Sequence, residues 1–169
     1  MARHTHRRPI RSASRRPPTL RGVVSLDDVR RLVELDHGLA AVSTVRTDGS
    51  LQTTVVNAGV VAHPVDGRDV VAFVARGGTH KLDHMRNDPR ATLSWRAGWA
   101  WITVEGVVEL CGPDDSLGEV TDDDRRLLLR TIFAAAGGEH EDWAEYDRVV
   151  AAERRVAVLV TPRRIYQNP

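Results

Sequence analysis

The sequence predicts a mainly β, α+β protein built on a closed or partly closed antiparallel barrel with peripheral helices. Three observations carry that expectation. Six apolar, β-branched segments follow one another at short intervals. Turn dipeptides such as Asp48-Gly49 and Asp66-Gly67 fall between them, at hairpin positions. Stretches of helical periodicity lie at the start, in one loop and near the end, not between every pair of strands, so an alternating β-α-β sheet is not expected.

Taken in chain order, Ser25 with Asp28 three residues on reads as a helix N-cap. Leu26, Val29, Leu32 and Val33 then recur at helical spacing until Gly38 ends the helix. Strands are expected over 39–46, 51–62 and 69–75, the third so apolar that both its faces should be buried. Residues 76–90 break the pattern with two glycines, a helical turn or two and a stop at Pro89. A hairpin follows, 91–96 and 99–110, around Ala97-Gly98. Helices are expected over 122–136 and 141–153, and a last strand runs to residue 167 with Pro162 at its edge.

The chain has 169 residues, 41% of them hydrophobic and 28% charged, which is enough to bury a core in one domain. Residues 1–22 hold seven arginines and no acid, leaving 17 basic and 23 acidic residues beyond them, a net of −6. The expected division is therefore a disordered basic tail over 1–22 and a folded domain over 23–169. The tail reads as a solvated extension or, more sharply, as an arm for an anionic partner. An acidic body does not suit nucleic acid, so none is expected as a partner. No apolar run reaches membrane length and the basic start has no signal-peptide core, so neither a membrane nor export is expected. One cysteine, Cys111, excludes an internal disulfide and suits a cytoplasmic setting. Its place at the end of an apolar run reads as packing, not as a nucleophile.

Chemistry concentrates in the loop Arg76-Gly77-Gly78-Thr79-His80-Lys81. The glycines allow a sharp turn close to a ligand, and Thr79 is placed to cap a helix whose free N–H groups favour phosphate. Arg76 and Lys81, the only lysine among the chain's 24 basic residues, add charge. His80 and His84 could share a metal, yet no third ligand stands at a predictable spacing, so solvent-facing histidines are the default and no metal is expected. Trp99 and Trp101 share one side of a strand and read as packing or as the wall of a pocket for a planar ring. Gln52 and Thr54 form a polar patch, and Asn57 needs a partner within its apolar strand. They could serve a heterocycle or neighbouring strands. No triad and no isolated carboxylate pair points to acid–base or covalent hydrolysis, and no catalytic residue is assigned.

The order LAAVSTVRTDGSLQTTVV, DVVAFVARGGTHKLDHMRNDPRATLSW, GWAWITVEGVVEL resembles the pyridoxamine-phosphate-oxidase-like, FMN-binding split barrels. Within them it is most similar to the F420-dependent flavin/deazaflavin oxidoreductases of actinobacteria, and the segment GGEHEDWAEYDRVVAAERRVAVLVTPRRIY strengthens that likeness over residues 25–167. The resemblance implies a homodimer with coenzyme F420 in a groove between subunits. It further implies that Lys81 and Thr79 touch the phosphate, with Arg76, Gly77 and Gly78 beside them. The strand carrying Gln52, Thr54 and Asn57 would face the ring, and Trp99 would close the pocket, from the partner subunit. Hydride transfer to a small conjugated substrate is the implied reaction, with the cofactor carrying the chemistry. Asp83 and His84 depart from the family, where a second basic residue is common, and Arg86 and Arg90 are candidates to compensate. Open alternatives are FMN-dependent oxidation or reduction and a non-catalytic binder of F420, FMN or haem.

Overall fold

The computed structural model describes residues 24–168. Helix α1 (Leu26–Leu35) opens with the expected capping box, Ser25 and Asp28 satisfying each other's backbone N–H. Strands β1 (Leu39–Val45), β2 (Leu51–Ala62) and β3 (Asp69–Ala75) follow. Helix α2 (His80–Asn87) leads into β4 (Arg90–Ala97) and β5 (Ala100–Cys111), and α3 (Asp122–Ala135), α4 (Trp143–Ala152) and β6 (Val156–Gln167) complete the order. All six strands pair antiparallel and close in the order β1-β2-β3-β6-β5-β4, as the strand count and turn spacing predict.

Alternation places two apolar layers. Val42, Phe73, Leu93, Trp95, Ile102 and Val104 fill the interior, joined by Val29 and Leu32 of α1 and by Leu82 and Met85 of α2. A second layer, including Val70, Ala72 and Leu159 on the outside of the barrel, is covered by Leu129 and Ile132 of α3 and by Tyr146 and Val150 of α4. β3 is therefore apolar from Val70 to Ala75 because it separates two cores. Cys111 belongs to the second layer, and burial pushes its thiol above the ordinary value, so it packs as expected and is not activated.

The barrel is closed, so the edge expected for Pro162 is a local one. β6 pairs with β3 only over Val156–Val160, and Pro162 lies just beyond, opposite Gly106 and beside a bulge at Arg163 of β6. The proline is tolerated because its missing N–H falls where one neighbour has already left the strand. No helix among the described residues is long and apolar enough to cross a membrane.

Candidate anion-binding cleft

The loop between β3 and α2 is shaped by its contacts with the junction of α4 and β6. The Gly77 N–H donates to the Glu153 carbonyl at 3.1 Å. A Cβ on Gly77 would lie 2.6 Å from the Arg154 carbonyl oxygen, so only glycine fits there. Gly78, at φ +71°, reverses the chain. The close approach at Gly77 is thus toward the protein's own backbone, Gly78 faces open space, and neither lines the cleft that the loop borders.

Thr79 stands at the N-cap of α2 but does not cap it. Its hydroxyl donates to the Arg76 carbonyl at 3.0 Å, tightening the loop and leaving the first helical N–H groups without a side-chain cap. Leu82 and Met85, at 0% and 2% exposure, anchor the helix in the core and so fix where Lys81 begins its reach.

The cleft encloses about 390 Å³ between β2, this loop, the C-terminal end of α3 and the start of β6. Three cations line it, Arg76, Lys81 and Arg155, and no carboxylate does. Lys81 and Arg76 have no ion-pair partner among the described residues. Burial pushes the Lys81 ammonium below the ordinary lysine value, because it gives up water without gaining a counter-charge. Asn57 completes the polar lining. Its Nδ2 donates to the His37 carbonyl at 2.8 Å, which leaves Oδ1 as an available acceptor. Phe133, Gly137 and Gly138 form the opposite wall.

The other expected residues are dispersed. Gln52 and Thr54 occupy the opposite face of β2 from Asn57 and do not line the cleft. Thr54 Oγ1 is buried there without a hydrogen bond. Trp99, 84% exposed, sits in the β4–β5 turn with its carbonyl accepting from Asn168. Three strand steps separate β5 from β2, roughly 14 Å, so Trp99 lies outside its own cleft. Arg86 offsets the Asp83 charge by pairing with it, but neither Arg86 nor Arg90 supplies a second free cation. Arg86 forms a bidentate pair with Asp115 at 2.9 Å and also holds Asp83, while Arg90 pairs with Asp88. His80 is exposed, but His84 turns onto the barrel, its Nδ1 3.1 Å from Thr44 Oγ1. Arg155 was absent from the sequence reading. Nothing in its local pattern marks it, and only the docking of Gly77 on residues 153–154 brings it to the loop.

The pyridoxamine 5'-phosphate oxidase profile matches residues 26–168, nearly the whole described chain. The chain belongs to that family. Solved structures with a similar fold include the conserved hypothetical protein Rv2991 from Mycobacterium tuberculosis, at TM-score 0.58 and 17% identity over 86% of this chain and 84% of that one. An F420 reductase aligns at TM-score 0.53 and 18% identity, covering 81% and 94%. An FMN-binding protein from Nostoc punctiforme aligns at TM-score 0.54 and 14% identity, covering 84% and 81%. At these identities the likeness is one of fold. The cleft's volume and its two unpaired cations, Lys81 and Arg76, suit the anionic end of a flavin-type group, so the residues present fit such a cofactor.

Proposed function

We propose that this protein is a cytoplasmic, homodimeric oxidoreductase that holds coenzyme F420 and transfers a hydride between it and a small conjugated substrate. The observation that carries this reading is the cleft with three cations and no carboxylate in a domain whose net charge is otherwise negative. Lys81 and Arg76 bind the phosphate as charge-assisted donors, and Lys81 regains through the ligand the stabilisation it lost to burial. Asn57 offers Oδ1 to a ring N–H, and its bond to His37 fixes the direction of that offer. Phe133 and the α3 terminus keep water from that side. Bound here, the deazaflavin supplies the hydride chemistry.

A second copy completes the groove. On the outward-facing side of β1 and the first half of β2, Ala41 and Ser43 are half-buried and Thr53 and Val55 exposed, Val55 at 67%, which leaves surface for a partner there. Trp99, too far away to serve its own cleft, closes that of the partner. FMN is the rival ligand, supported by the same three cations around a dianionic phosphate. Titration of the protein with F420 and with FMN, followed by tryptophan quenching, tests the choice. The expected F420 affinity is micromolar, about −8 kcal/mol, and clearly tighter than that for FMN. Equal or tighter FMN binding selects the rival. Failure of both to bind, or tight binding by a species that light scattering shows to be a monomer, contradicts the shared groove.

A further inference from the structure

We propose that Glu153 is a built-in counter-anion of the cleft, which an incoming anionic ligand must displace from Arg155. The proposal rests on the cleft being the anion site described above and adds a selectivity device to it. Glu153 Oε2 accepts from Arg155 Nε at 2.7 Å, with both side chains about one-third exposed at the cleft's edge. Arg155 lines the cleft whereas Glu153 does not, so the carboxylate holds the guanidinium from outside and leaves the space beside it open.

The position of the pair is set by the backbone. Glu153 ends α4, and its carbonyl receives the Gly77 N–H, so the residue that docks the anion loop also carries the competing charge. Arg154 follows at φ 49°, and its Nη2 donates to both carboxylate oxygens of Asp114 at 2.6 and 2.7 Å. Arg154 thus turns to the surface while Arg155, the next residue, lines the cleft. Arg155 and then Arg76 hold the Glu153 carboxyl below its ordinary range, so Glu153 also feels the loop's own arginine.

Two consequences follow. Without ligand, the cation facing the cleft from β6 is neutralised while Lys81 and Arg76 remain unpaired. A ligand must therefore bring enough negative charge to outcompete a carboxylate at Arg155, which favours dianionic or multiply charged ligands over singly charged ones. Removing the carboxylate should then tighten anion binding, the opposite of the effect expected for a supporting residue.

Calorimetric titration of the full chain with FMN, riboflavin and inorganic pyrophosphate tests this, using wild type, Glu153→Gln and Arg155→Gln. Glu153→Gln should bind FMN and pyrophosphate about threefold tighter or more. Arg155→Gln should bind both about tenfold more weakly, and riboflavin affinity should change in neither variant. Unchanged or weaker anion binding by Glu153→Gln overturns the proposal, as does pyrophosphate binding to none of the three proteins. If the variants separate on pyrophosphate while FMN binds to none of them and F420 fails to bind in the quenching titration, the counter-anion stands and the cofactor reading falls.

Discussion

At the scale of single residues, the decisive feature is an ammonium group that is half-buried and unpaired. Desolvation lowers the Lys81 pKa below its unfolded value, so the protonated lysine opposes folding, and stability rises as pH climbs through that lowered value toward 10.5. Ligand binding has the reverse sign. An anion stabilises the charged form, so affinity should fall as pH rises through the lowered pKa, earlier than for an ordinary lysine. Lys81→Ala should weaken FMN binding by about 1.5 kcal/mol or more and remove that alkaline decline, as read from titrations over a pH series. An unchanged affinity or an unchanged pH profile would move the phosphate site elsewhere. The sequence made Lys81 visible because it is a lone lysine among arginines in a glycine-rich turn. It could not show that the Thr79 hydroxyl turns back to Arg76, since N-cap spacing is the same whichever partner the hydroxyl takes.

At the scale of elements, helix α2 links the core to the cleft. Its eight residues have too few turns to hold a helix by propensity alone, and burial of Leu82 and Met85 supplies the support. Leu82→Ala should lower unfolding stability by about 2–5 kcal/mol with little change in the denaturant m-value. It should also weaken FMN binding under conditions where the variant remains folded, because Lys81 precedes the lost anchor. Wild-type affinity in a folded Leu82→Ala protein would show that α2 does not position the cation. Strands and helices were legible from alternation, turn dipeptides and caps, and their observed bounds differ from expectation by only a residue or two. The division of β2 was harder to read. Gln52 and Thr54 have the parity of the barrel interior, whereas Asn57 has that of the outer face. Parity therefore separates these residues, whereas the family resemblance implies that all three face one ring.

At the scale of the whole molecule, the fold sorts charge. Acidic residues are spent on arginine pairs over the helices and turns, such as Asp147 with Arg126 and Arg130, and Asp115 with Arg86. The cleft combines three cations with no carboxylate lining, and a low-dielectric wall strengthens their field on an approaching anion. Arg155 shows the limit of reading along the chain. It reaches residues 76–81 only through the packing of the α4–β6 junction against Gly77, a contact between segments more than seventy positions apart. Riboflavin is FMN without its phosphate, so the ratio of their dissociation constants on the wild-type protein isolates the contribution of this cation group. The account predicts FMN binding at least about tenfold tighter, or 1.4 kcal/mol, with the difference shrinking as ionic strength rises. Equal affinities for the two would contradict it.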